Sequence, residues 1–571
     1  MSFCFLDNLV ILLNMLKKLV ILLIILLYQT VSQSKISKYQ NFNPRFLSNY
    51  FSALVAYENM ENEKSVEFFS SSKRLNSEHK NFLKKHVFAI IEDGNLSKAI
   101  KEIKNSKNIS NKNFFEAKLI LLVDSIMSED FLKAKNYLVE LKKFKEEDTF
   151  KLIIVETLES YINLFLYNRM TDLSNDFGTL TEISKAFQQC YLNEKRYSKK
   201  FINIINSDNG DYSRYLFFYV NMLLRQGEIN LSKQITSTVD PLSSNLLISQ
   251  LKIWVNDGDY KKIVNVFSCK NPNDLIAEFF FLISNLYSSQ DQFKKSNFYL
   301  ILSQKLNSRF YYNLSLLSEN YLLSENYQRS KEVLNSFDKN DLVYYWYKIK
   351  KIAQIISIEK NENESIDFIE KNFVKIKKPN YKIYFDLANI YKNFSQYEKS
   401  IMYYNLVLQE LDNNSLSYAD TLYRRGSCYE RIGDYKNSDK DLLDSLNVKS
   451  DDPFVLNYLA YSWLERNHKV TEATQMLKKA HSMENDNPYI IDSLGWAYFL
   501  TKNYIQAEKY MRKAIQIRPN DPVIIDHYAD ILWKLNRKLE ARYFWKEVLK
   551  LKDNEEINKE KVKKKILHGL I

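Results

Sequence analysis

A small residue recurs along this 571-residue chain at a nearly fixed interval, and nothing else in the sequence constrains the fold as strongly. The positions are Ser65, Ala99 and Ala134, then Ser232, Ile263, Ser296, Ser330, Ser365, Ser400, Ser438, Ala473, Ala507 and Ala541. Most successive steps are 33–35 residues. A period of that length is the signature of stacked helical hairpins, in which no single unit buries its apolar face alone. Aromatics stand three residues before many of these positions: Phe131, Tyr260, Phe293, Tyr327, Tyr397, Tyr435 and Tyr504. Gly94, Gly227, Gly258 and Gly433 stand five before, where a first helix must stop and turn. Gly426 and Gly495 stand twelve before, inside the first helix, where a missing side chain lets the second helix approach closely. Pro453, Pro488 and Pro522 each open a hairpin, proline being tolerated in the first turn of a helix.

The run Leu494-Gly495-Trp496-Ala497-Tyr498, followed by Ala507, Tyr510, Ala514 and Pro519, resembles the tetratricopeptide repeat. The most specific copies lie between about Asp420 and Leu549, and this stretch is similar to the terminal repeats of bacterial envelope proteins in that family. The resemblance implies an all-α, right-handed superhelical solenoid of stacked helix-turn-helix repeats. We expect a continuous stack from about 44 to 551: degenerate repeats over 44–410, well-formed ones over 411–551, and a basic capping helix or tail over 552–571. Between about 140 and 225 the ladder is lost, although the gap from Ala134 to Ser232 has room for about three units.

Eight prolines and nine glycines leave few places for strands or linkers, and 45% hydrophobic residues with 14% aromatic support a packed interior. The net charge of +12 arises from scattered Lys offset by 69 acids, with no nucleic-acid-binding motif, so nucleic acid is not the expected partner. Cys4, Cys190, Cys269 and Cys428 lack any metal-ligand or redox spacing and read as isolated buried thiols. No HExxH, phosphate-binding loop, GxSxG or dinucleotide-binding glycine pattern is present, so no enzyme, cofactor or metal site is expected.

At the N-terminus Lys17-Lys18 precede an apolar run, Leu19–Leu27, followed by Thr30, Ser32 and Ser34. That order describes a secretory signal over 1–34, with Met1 or Met15 as the start; an uncleaved membrane anchor is the competing reading. The run is shorter than the roughly 20 residues of a membrane-spanning helix. Either way the repeats are expected to be exported to the periplasm or envelope membrane.

In tetratricopeptide hairpins, as the resemblance implies, the first helix of each pair lines a concave groove. Superposing the hairpins opened by Pro453, Pro488 and Pro522 aligns Asn457, Asp492 and Asp526, then Tyr461, Trp496 and Asp530, then Leu464, Phe499 and Trp533. We expect Asn457, Tyr461, Asp492, Trp496, Phe499, Asp526, Asp530 and Trp533 to bind an extended or helical peptide, aromatics anchoring and acids selecting basic or amide donors. The alternatives are that the aromatics pack between hairpins and that the acids are caps or inter-repeat partners. The leading function is an exported protein-binding scaffold; an accessory of envelope polysaccharide or cell-wall biogenesis, and a substrate-recruiting partner of a separate enzyme, are the others. In the tail, Ile557, Val562, Ile566 and Leu570 form an apolar stripe suited to cap the last hairpin, while its lysines suit either solvent or an anionic membrane surface.

Overall fold

The computed structural model describes residues 44–570 except 78, 80, 107–109, 194–196, 207–212, 241 and 552–556; the stretch expected to be a signal or anchor, with Cys4, lies outside them. Among the described residues there are thirty α-helices and no strand, and no helix is long and apolar enough to cross a membrane. Antiparallel pairs such as Leu416–Arg431 with Tyr435–Val448, and Pro488–Leu500 with Tyr504–Ile517, pack in tandem. The all-α hairpin architecture expected from the ladder is the one observed.

Every position of the ladder is buried. Four of its serines show how a polar residue can sit there: Ser65, Ser296, Ser365 and Ser400 each donate to the carbonyl twelve residues earlier, at Ala53, Ser284, Ala353 and Ala388. The hydroxyl thus bridges the two helices of its own hairpin at their closest approach, and its burial costs no unmade hydrogen bond. At Gly495 a Cβ would stand 3.1 Å from Met511 Cε, which confirms the close approach the sequence predicts there. The four turn glycines all adopt φ between 75° and 84°. The three prolines start their helices, with Asp452, Asn487 and Asp521 accepting from the first free N–H groups.

Two compact units divide the chain: one takes it up to Glu194 and then Cys269–Asn326, the other takes Lys195–Ser268 and Tyr327–Ile571. In the first, the returning helices Pro272–Ser288 and Phe293–Leu306 pack on Thr149–Tyr167 and Phe82–Glu92. Tyr287 stacks on Phe150 with centroids 4.2 Å apart, Phe298 lies 5.6 Å from Phe88, and Tyr321 donates to Glu92 at 3.3 Å. In the second, Leu246–Asn256 packs on Leu342–Glu359, and Leu242 adds to the cluster of Phe385, Ala388 and Tyr404.

The cysteines depart from the expectation. Cys190 and Cys269, 79 residues apart, form a disulfide within the first unit, with Cα atoms 6.0 Å apart. The chain leaves that unit just after Cys190 and rejoins it at Cys269, a closure that sequence spacing cannot reveal. Cys428 is free and buried, as expected.

Candidate functional site

The first helices of the last hairpins are Leu416–Arg431, Pro453–Glu465, Pro488–Leu500 and Pro522–Lys534. Together with the terminal helix Lys559–His568 they bound a cavity of about 870 Å³. Of the eight residues singled out from sequence, Tyr461, Trp496, Asp526 and Asp530 line it; Asn457, Asp492, Phe499 and Trp533 do not.

The acids are engaged within the protein. Asp492, 5% exposed, pairs with His527 Nδ1 at 2.9 Å. Lys565 of the terminal helix reaches Asp526 at 2.7 Å and both oxygens of Asp530 at 2.8 Å, and Trp545 Nε1 donates to Asp530 at 2.9 Å. Burial alone would lower the pKa of His527, but the charge and hydrogen bond of Asp492, with Asp526 and Asp530 nearby, raise it to about 9. The ring is therefore an imidazolium at neutral pH. Burial, then the neighbouring charge of Asp526, raises Asp530 to about 6 against the opposing pull of Lys565. Asp526 Oδ1 and Asn457 Oδ1 remain buried acceptors with no hydrogen-bond partner among the described residues.

The aromatics form a packed column. Trp496 stacks on His527 with centroids 4.0 Å apart and on Phe499 at 4.6 Å, both nearly parallel. Its indole N–H donates to Glu465 at 2.9 Å. Trp496 is half-buried and lines the cavity. Trp533 lies 5.5 Å from Trp545, with Arg542 at 4.9 Å and Lys538 at 5.4 Å from its ring. Leu464, aligned with Phe499 and Trp533, is a core residue.

Sequence reasoning missed His527 as a partner of Asp492, and missed Glu430, Tyr458, Glu465 and Arg466 as cavity residues. A signal for the first existed: Asp492 and His527 are 35 residues apart, one repeat period, which brings equivalent faces of successive hairpins together. Adjacent Asp526 and His527 point apart, as helical geometry requires.

A tetratricopeptide repeat family profile matches residues 347–554, which hold this cavity's groove helices. That stretch of the chain is made of tetratricopeptide repeats. A TPR repeat-containing protein of Pseudomonas aeruginosa is 32% identical to this chain over 90 residues, 16% of its length. The chain spans only 15% of that relative's length. Among solved structures, Pseudomonas aeruginosa pilF is 21% identical, covering 31% of this chain and 78% of its own, with a TM-score of 0.27. MamA from Desulfovibrio magneticus RS-1 is 15% identical, covering 31% and 97%, also at 0.27. Overlaps at such scores bear on neither the shape nor the function of this chain. Repeats of this family generally mediate protein–protein interaction, which bears on residues 347–554.

Proposed function

We propose that this protein is an exported bacterial scaffold, periplasmic or tethered to the cell envelope, that holds a peptide segment of a partner protein in the concave face of its C-terminal repeats. The observation that carries this reading is the 870 Å³ cavity, lined by residues from one first helix after another. Its volume suits a binding site, and ten of its twenty-one lining residues carry ionisable side chains beside the aromatic Tyr435, Tyr458, Tyr461 and Trp496. The partnerless Asp526 Oδ1 adds a buried acceptor at that wall, the kind of group a peptide N–H satisfies. Export is supported by the Cys190–Cys269 disulfide, since such bonds persist in oxidising compartments and are rare in reducing cytosol, and by the signal-like order of residues 1–34.

Asp492 and Asp526 are poor sites for a test, because charge reversal there would break internal pairs. Tyr461→Arg instead places a long charged side chain in the cavity. In-cell crosslinking and pull-down with the tagged full chain should recover an envelope protein with wild type and lose it with Tyr461→Arg. A control on an exposed second helix, Leu539→Ser, should keep it. Equal capture by all three would remove the groove from consideration, and a mature chain retained in the cytoplasm would remove the export.

A further inference from the structure

The terminal helix Lys559–His568 sits against the row of positions that repeat geometry turns towards a ligand. Lys565, 17% exposed, places its ammonium between Asp526 and Asp530. Val562 is fully buried, and Ile557, Ile566 and Leu570 pack into the same core as Trp533 and Trp545. Arg542 Nε donates to the Ile566 carbonyl at 2.9 Å, satisfying a group left open at the end of the helix. Gly569, at φ +83°, lies so close to Trp533 that a Cβ would stand 1.9 Å from its ring. The segment is thus read by a defined pattern: branched apolar residues at i, i+4 and i+8 (Val562, Ile566, Leu570), a lysine at i+3 and a glycine at i+7.

We propose that this end of the groove is a socket for a lysine-bearing amphipathic helix, and that the chain's own tail is its resident occupant, displaced by a partner helix of the same pattern. This rests on the groove reading above, whose last subsite it specifies. The tail is suited to leave. Its ten residues fall short of the roughly 12–15 that an isolated helix needs for stability. Lys561, Lys563, Lys564 and Lys565 fall within five residues and repel one another, with Glu560 pairing only Lys563. Its helical order therefore depends on docking, and the acid pair that neutralises Lys565 is equally open to a lysine arriving from another chain. Acids at Asp526 and Asp530 and apolar surface at Trp533 fix the chemistry of that chain as basic and amphipathic.

The test uses the oxidised full-length chain and a fluorescein-labelled synthetic peptide of residues 557–571, followed by fluorescence anisotropy at low salt. Lys565→Glu sets three carboxylates together and unseats the tail; Gly569→Val does so by steric contact with Trp533. Both variants are expected to bind the peptide at least tenfold more tightly than wild type, whose socket is filled, and a peptide carrying the Lys565→Glu change should not bind. Tyr461→Arg combined with Lys565→Glu should leave peptide binding intact, because the middle of the groove is not used. Two variants that keep their helical circular dichroism yet take up no peptide would overturn the proposal. So would loss of cooperative unfolding in both, which would make the tail an inseparable part of the fold. A wild-type dimer that Lys565→Glu converts to monomer would overturn it in favour of tails exchanged between two copies. If the peptide fails to bind while Tyr461→Arg still abolishes partner capture, the groove reading survives and only this inference falls.

Discussion

Removing the Cys190–Cys269 bond should destabilise the first unit without touching the second. The bond closes a loop of 79 residues. The chain-entropy relation for a loop of that length gives about 15 cal/mol/K, or about 4.5 kcal/mol at 25 °C, as the ceiling of its contribution. The value is a ceiling because Lys195–Ser268 belongs to the other unit, and while that unit stays folded the loop's ends remain tethered. The six tryptophans, Trp254, Trp346, Trp463, Trp496, Trp533 and Trp545, all lie in the second unit, so tryptophan fluorescence follows that unit alone. Far-ultraviolet circular dichroism follows both. In urea, Cys190→Ala/Cys269→Ala should show an early loss of helical signal that the tryptophans do not share. With a denaturant slope of up to about 3 kcal/mol/M, the full effect would move that transition by about 1.5 M or more. A first-unit midpoint unchanged from wild type would refute the reasoning: the two cysteines would not be stabilising the fold as a bond, and the main support for export would go with them.

Other perturbations read the site and the core. The pKa of His527 is raised from about 6.5 to about 9 in the fold, so its charge stabilises fully below about pH 6.5 and the contribution is lost as pH rises through about 9. At 1.36 kcal/mol per pH unit that window is worth roughly 3 kcal/mol. Thermal melts from pH 6 to 10 should show a decline in wild type that His527→Gln largely removes; parallel declines would contradict the Asp492 pairing. In the first unit, buried Asn320 donates to Ser296 at 2.8 Å and Asn297 at 2.9 Å and accepts from Ser288 at 2.6 Å. Asn320→Leu should cost roughly 2–4 kcal/mol in urea unfolding, because its partners lose their bonds inside the core; a neutral effect would show that water replaces it.

The fold was legible where one residue's environment is set within its own hairpin. Gly495 must be small because Met511 lies sixteen residues on, and Pro522 starts a helix because Asp521 caps it. Such relations repeat with the period and are written locally, so the ladder predicts the helices, their turns and their pairing. The site was only partly legible. Asp526 and Asp530 line the cavity while Asp492 does not, and their charges are answered by His527 and Lys565, one 35 residues away from its acid and the other contributed by the tail.

What the sequence by itself determined is the repeating hairpin, since each step depends on contacts within about one period. Only the tertiary structure decided three other matters: that the chain divides into two units of interleaved segments, that Cys190 meets Cys269, and that the tail fills the end of the groove. Each depends on where a distant segment returns. The side chains that receive it, such as Tyr287 on Phe150 or Lys565 between two aspartates, look like ordinary buried or charged residues until their partners arrive.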